Sequence, residues 1–105
     1  MRVFQLRTYT LKTPEAAAQY AEIWYAHITS LKAFHIQTHG VFQPLAHERQ
    51  VIALVSYPEN ADVSALSAAY MSSDAFRADM AGFDIAMIER VEETLLGALP
   101  ASPLQ

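Results

Sequence analysis

Residues 3–11 constrain the fold most, because their apolar and polar side chains alternate with the period of a β-strand. On one face a cationic and a phenolic side chain lie among apolar ones, which is unusual for a strand with one solvent-exposed face. The pattern predicts a sheet covered on both sides and makes Arg7 and Tyr9 the first candidates for a functional site. The two faces carry Val3, Gln5, Arg7, Tyr9 and Leu11 on one side, and Phe4, Leu6, Thr8 and Thr10 on the other.

A long helix is predicted directly after this strand. Thr13 suits the N-cap, Pro14 suits the first helical position with its fixed φ, and Glu15 complements the positive end of the helix. Apolar side chains then follow at helical spacing, which predicts a helix that lies with one face on a sheet. That stripe consists of Tyr20, Ile23, Trp24, His27, Ile28 and Leu31.

Two more strands are predicted in the middle of the chain. The spacing of two returns over residues 35–42, which are polar enough for a sheet edge. Pro44 ends this strand because proline cannot donate to a ladder. Residues 50–57 are almost continuously apolar, which is typical of a central strand buried on both faces.

The rest of the chain predicts a helix in two parts and a final strand. Asp62 suits the cap of the first part, and residues 72–74 read as a second cap. Residues 83–96 are compatible with a helix or a strand, and we predict a strand from about Met87 onward. Two prolines in residues 100–103 then predict an extended tail, which we expect to pack along a partner subunit.

The order strand, helix, strand, strand, helix, strand is that of the split β-α-β unit. It predicts an α+β fold, a ferredoxin-like βαββαβ domain over residues 1–105, with a four-stranded antiparallel sheet and both helices on one face. Residues 51–57 are apolar on both sides, so the open face needs a second layer. The sheet of an identical chain is the simplest one, and the expected assembly is therefore a dimeric α/β barrel.

Composition supports association and excludes several classes of partner. Of the 105 residues, 52% are hydrophobic and 17% charged, which is rich for a small monomer and places apolar surface against another subunit. The net charge of −4 and the scattered basic residues argue against nucleic acid and anionic membranes. The chain has no cysteine, no signal-like start and no long aliphatic run, and we expect a cytoplasmic location.

Both ends of the chain resemble one known family. Residues 4–12, Phe-Gln-Leu-Arg-Thr-Tyr-Thr-Leu-Lys, are similar to the opening aromatic-Glu-Leu-Arg-x-Tyr-x-Leu signature of the NIPSNAP family. Residues 92–103 resemble that family's terminal strand and its Pro-x-Ser-Pro tail. Trp24 stands in the first predicted helix, where the family often places a tryptophan. The resemblance implies a dimeric α/β barrel of ferredoxin-like subunits, and no reaction, because the family's activity is largely undefined.

The chain also departs from the family pattern at two places. Gln5 replaces the usual acid beside Arg7, which removes a family-typical ion pair. Residues 53–57 replace a third strand of the His-x-Trp-x-Tyr type, of which only Tyr57 remains.

A cleft between sheet and helices is the predicted site for an aromatic or acidic small molecule. An alternative assigns Arg7 a structural role, paired with Glu89 or Glu93 of the final strand. Similarly, His27 is either a ligand-facing group or a hydrogen-bonded, buried imidazole near the sheet. The residues predicted to line the cleft are Arg7, Tyr9, Trp24, His27, His39 and Tyr57.

No metal or other cofactor is predicted. His35 and His39 are four strand residues apart, roughly 13 Å, which exceeds one coordination shell. A site formed by His27, His39 and a carboxylate lacks a ligand motif. Haem is a third and weaker alternative, since no histidine stands in an axial-ligand motif.

Two functions remain open at this point. The preferred prediction is a homodimeric binding or assembly module, which implies a filled cleft and a neutralised Arg7. The alternative is a cofactor-independent enzyme of the monooxygenase or isomerase type, acting on a small hydrophobic or aromatic substrate. It implies an open apolar pocket with His27, His39 or Tyr9 pointing inward. The expected partners are a second copy and a small apolar or aromatic ligand, with no nucleic acid and no membrane.

Overall fold

The computed structural model describes residues 2–105 and confirms the predicted order of strands and helices. The helix after the third strand is indeed divided in two, and the final strand begins one residue after Met87. In chain order the elements are β1 (Val3–Leu11), α1 (Pro14–Lys32), β2 (Gln37–Phe42), β3 (Gln50–Tyr57), α2 (Val63–Met71), α3 (Asp74–Asp79), a short 3-10 turn (Ile85–Met87) and β4 (Ile88–Gly97).

The ends of helix α1 follow from local sequence. The hydroxyl of Thr13 accepts a hydrogen bond from the Ala16 amide at 3.0 Å, which confirms the predicted cap. At the other end, His35 adopts a left-handed conformation with φ 61°, and the Ile36 amide donates back to the Leu31 carbonyl. This turn takes up His35 and Ile36, so β2 begins at Gln37 and not at residue 35 as predicted.

The sheet has the order β2-β3-β1-β4, and every pair of neighbouring strands is antiparallel. Together with the element order, this is the ferredoxin-like α+β fold. Arg7 stands opposite Ala53 of β3 and opposite Glu93 of β4, so these three residues share one face. The helices cover that face. The core between helices and sheet includes Tyr9, Leu11, Tyr20, Trp24, Leu31, Ile36, Val51, Val55, Tyr57, Tyr70 and Phe83.

The other face of the sheet carries no helix. The C-terminal residues line a second, open cavity together with Phe4 and Leu54 on this face, and Phe4 is only 4% exposed. The predicted extended tail is wrong, because the Ser102 amide donates to the Leu99 carbonyl and closes a turn. The side-chain amide of Gln105 donates to the carbonyls of Leu99 and Ser102 at 2.9 and 2.7 Å, which holds the tail back on itself.

Among the described helices, none is both long enough and apolar enough to span a membrane. The cytoplasmic location stays a prediction.

Candidate small-molecule site

A cavity of about 310 Å³ lies between the sheet and the three helices. This volume is at the lower end of the range typical of small-molecule sites. Four polar side chains face it, Arg7 and Glu93 from the sheet and His27 and Ser67 from the helices. The remaining wall is mostly aromatic and aliphatic and includes Tyr9, Tyr20, Trp24, Leu31, Tyr70, Phe76, Met80, Ile88 and Val91.

The guanidinium of Arg7 is held by neutral oxygens. Its Nε donates to Gln5 Oε1 at 2.7 Å, and its terminal nitrogens donate to the hydroxyls of Tyr9, Tyr57 and Ser67. Burial opposes the charged form of Arg7, but the oxygens of Tyr9 and Tyr57 outweigh it and raise its pKa above the ordinary value. Arg7 is therefore a permanent, partly buried cation.

The alternative that pairs Arg7 with a glutamate is wrong in this structure. Glu89 lies 3.7 Å from the guanidinium of Arg49, and Glu93 accepts a hydrogen bond from the Gln5 amide at 3.1 Å. Among the carboxylates of residues 2–105, none forms an ion pair with Arg7. Gln5 is the physical reason, because its amide oxygen binds Arg7 while its amide nitrogen binds Glu93.

His27 is held in a second polar cluster on the helix side of the cavity. Its Nδ1 lies 3.1 Å from Asp79 Oδ2 and also contacts the Tyr70 hydroxyl. That hydroxyl donates to Asp79 Oδ2 at 2.6 Å, and Ser30 donates to Asp79 Oδ1 at 3.1 Å. The His27 ring is 3% exposed and is stacked parallel to Phe76.

The charges of this cluster follow from its surroundings. Burial lowers the pKa of His27 and outweighs the opposing effect of Asp79, so the imidazole is neutral at pH 7. Burial also favours a neutral Asp79, but the hydrogen bonds from Tyr70, His27 and Ser30 lower its pKa below the ordinary value. Because Asp79 is an anion and accepts from Nδ1, that nitrogen bears the ring proton, and Nε2 keeps its lone pair.

The structure brings together five of the six residues predicted for the cleft. Arg7, Tyr9, Trp24 and His27 line the cavity, and Tyr57 lies directly behind Arg7. Their role in ligand binding stays a prediction.

The sixth residue, His39, lies on the opposite face of the sheet, so its predicted place in the cleft is wrong. Its Nε2 is 2.8 Å from the Ser56 hydroxyl, and its ring is 5.2 Å from that of Phe4. An irregularity in the pairing of β2 with β3, between Thr38 and Gly40, places it there.

His27 and His39 cannot bind one metal ion together, because they lie on opposite faces of the sheet. Within residues 2–105, no group of three or more histidines and carboxylates is arranged to hold a metal ion.

Sequence reasoning missed Tyr70, Asp79 and Ser67. Tyr70 follows Leu66 at the i+4 spacing of one helix face, and the available signal was that a buried phenol needs a hydrogen-bond partner. Asp79 follows Phe76 at the i+3 spacing that puts both on one face of α3, and this spacing was the available signal.

Comparison with known proteins adds the family. A family model described as NIPSNAP matches residues 4–103. The chain belongs to the NIPSNAP family. This confirms the resemblance seen at both ends of the sequence. No match was found among curated protein sequences.

Solved structures of NIPSNAP proteins share the fold. A NIPSNAP family protein with unknown function from Agrobacterium tumefaciens is 19% identical, with a TM-score of 0.79 over 99% of this chain and 94% of that one. An uncharacterized NIPSNAP-like domain protein from Burkholderia xenovorans is 18% identical, with a TM-score of 0.77 over 97% and 89% of the two chains. A protein called antibiotic biosynthesis monooxygenase is 11% identical, with a TM-score of 0.66 over 93% and 99%. At such identities the likeness extends to the fold alone.

Proposed function

We propose that this NIPSNAP family protein binds a small apolar or aromatic molecule in the helix–sheet cavity, with an acceptor oxygen of the ligand on Arg7. The observation that carries this proposal is a partly buried cation at the wall of an open cavity, with only neutral oxygens as its partners. An ionised group that is removed from water without a counter-charge is costly. A carboxylate or a polarised carbonyl oxygen on a ligand offsets that cost.

The walls around Arg7 set the class of ligand. Aromatic and aliphatic side chains form most of the lining, which suits a flat or branched hydrocarbon body. Glu93 also faces the cavity, and its negative charge disfavours a second anionic group on the same molecule. A molecule with one oxygen function and an apolar body fits both features.

The only tryptophan of the chain, Trp24, lines the cavity and reports directly on ligand binding. Its fluorescence should be quenched in a saturable way by 4-iodobenzoate, because the iodine would lie near the indole ring. The neutral 4-iodobenzamide should bind about tenfold more weakly, since a charge-assisted bond to Arg7 contributes roughly 1.4 kcal/mol more. Free iodide ion should quench little, because Trp24 is 2% exposed.

Two matched variants complete this test. Arg7→Gln should remove the preference for the carboxylate, whereas Arg49→Gln, at an arginine that does not line the cavity, should keep it. Quenching that does not saturate, or equal binding of 4-iodobenzoate to the unaltered protein and Arg7→Gln, would contradict the proposal.

We also propose that two copies associate through their helix-free sheet faces. Nine of the ten residues of strand β4 are exposed, and a second sheet on the helix-free face would cover the side chains that point to that face. On the helix-free face, Leu96 is 41% exposed and Phe42 57%. Sedimentation equilibrium should find a dimer that Leu96→Arg weakens and Tyr25→Arg, on the outer surface of α1, leaves intact. A monomeric unaltered protein would contradict this proposal.

A second function, that of a cofactor-independent enzyme of the isomerase or monooxygenase type, is supported by one further observation. A neutral histidine lines the same cavity as Arg7, and a carboxylate holds its other nitrogen. The antibiotic biosynthesis monooxygenase with a similar fold is consistent with this alternative, although a shared fold does not establish a shared reaction.

A further inference from the structure

On the basis of the proposed ligand binding, we propose that the cavity catalyses a proton shift beside a carbonyl group. His27 Nε2 accepts a proton from the carbon adjacent to the carbonyl, and Arg7 binds the carbonyl oxygen. The substrate class is an apolar or aromatic ketone with an acidic C–H bond. His27 and Arg7 act on the substrate directly, whereas Asp79 and Tyr70 are positioning residues.

The polar cluster behind His27 prepares it as a base. Nδ1 is engaged by Asp79 and Tyr70, so Nε2 is the only ring nitrogen left to face a ligand. The parallel stacking on Phe76 and the edge contact with Trp24 at 5.1 Å restrict rotation of the ring. A base whose orientation is fixed by packing and by a second hydrogen bond is the arrangement that proton transfer requires.

Titratable side chains from the sheet and from all three helices surround His27. Asp79 of α3 is an anion that favours imidazolium formation, and Arg7 of β1 is a cation that opposes it. Burial raises the pKa of Tyr70 and of Tyr20, so both remain neutral phenols. The result is an unprotonated imidazole at pH 7 with an anion behind it, which stabilises the imidazolium once it forms.

Arg7 supplies the complementary group. Deprotonation of a carbon beside a carbonyl puts negative charge on the carbonyl oxygen, and a fixed cation at that oxygen lowers the barrier. The hydroxyls of Tyr9 and Tyr57 and the amide of Gln5 hold Arg7 in place without neutralising it. Its charge therefore remains available for an enolate.

The reaction balances without an oxidant or a cofactor. The C–H bond breaks, its electron pair forms a C=C bond, and the carbonyl π pair moves to the oxygen that Arg7 binds. The proton goes to Nε2 of His27. The imidazolium then returns a proton to the same carbon, or to a conjugated carbon further along, which gives an isomer.

The test uses 2-tetralone in deuterium oxide as the probe. Proton NMR follows exchange at its acidic methylene, and Trp24 fluorescence follows its binding. The unaltered protein should accelerate exchange about 100-fold over buffer, which is the lower end of the usual contribution of a positioned base. The rate should rise with pH through an inflection below the ordinary histidine value of about 6.5 and then level off.

Two variants with a control assign the roles. His27→Gln should lose the acceleration, and His47→Gln, at a histidine in the loop before β3, should retain both the acceleration and 4-iodobenzoate binding. Asp79→Asn should slow the exchange and move the inflection to lower pH, because it removes a charge that raises the pKa of His27. A merely structural role of Asp79 would leave the inflection where it is.

The outcomes distinguish this inference from the binding proposal. Exchange at the buffer rate while the unaltered protein binds either probe would overturn the inference and leave binding intact, as would full acceleration by His27→Gln. Absence of saturable binding by both probes would refute the binding proposal itself. If thermal unfolding shows that His27→Gln does not fold, the pH dependence of exchange by the unaltered protein is the test. An exchange rate without an inflection below pH 7 would then overturn the inference.

Discussion

Replacement of Tyr57 by phenylalanine is the sharpest test of the polar network that holds Arg7. Tyr57 is fully buried, and its hydroxyl donates to Gln5 Oε1 at 2.8 Å while it accepts from Arg7. The same oxygen lies 3.0 Å from the Ser67 hydroxyl. The substitution removes one oxygen atom and leaves the ring, so packing of the core is unchanged.

The expected loss of stability follows from the two bonds that have no replacement. The neutral bond to Gln5 contributes about 1 kcal/mol, and the charge-assisted bond from Arg7 contributes about 2 kcal/mol. The substitution also removes the contact between the hydroxyls of Tyr57 and Ser67. This contributes little to the loss of stability, because Ser67 lies near Arg7 and can keep a hydrogen bond to it. The free energy of unfolding should therefore fall by about 3 kcal/mol, the sum of these two bonds.

Urea unfolding at a fixed protein concentration measures this change, since the proposed dimerisation would make stability depend on concentration. Tyr25→Phe is the matched control, because Tyr25 is 76% exposed and the same atom is removed at the surface. A loss below about 0.5 kcal/mol for Tyr57→Phe, equal to that expected at a surface site, would refute the view that neutral oxygens stabilise the buried Arg7.

Two further predictions concern pH and the C-terminal residues. Because the pKa of His27 is lowered on folding, the unfolded state binds more protons as pH falls below about 6.5, and stability should decline from there toward the folded pKa. Urea unfolding at pH 7.5 and 5.5 should find a smaller decline for His27→Gln, and an equal decline would contradict this. Deletion of residues 100–105 should remove part of the wall of the cavity that Phe4 and Leu54 also line and lower the free energy of unfolding by about 1 kcal/mol, and an unchanged urea midpoint would contradict a stabilising role of the tail.

The features that could be predicted are those encoded over a few neighbouring residues. Alternation over residues 3–11, the Thr13 cap and the renewed cap at Ser73 each depend on local geometry, and all of them are present. The order of elements then restricts the topology to very few arrangements, and the sheet adopts the predicted one. The start of β2 was misplaced because a left-handed turn at His35 resembles strand spacing in the sequence.

The site could be predicted only in part, because its polar contacts join distant segments. Arg7, Tyr9, Trp24 and His27 were found, since a charged or aromatic residue on an apolar stripe is visible in the sequence. The partners of His27 were not found, because Asp79 is 52 residues away and only the packing of α3 against α1 brings it close.

The sequence by itself determined the strands, the helices, their order and the face of β1 that carries a cation. Tertiary structure decided what surrounds that cation and that Gln5 separates it from Glu93. It also decided that His39 lies across the sheet from His27. The physical reason is that strand and helix periods act over a few residues, whereas the partner of a buried polar group depends on how whole elements pack.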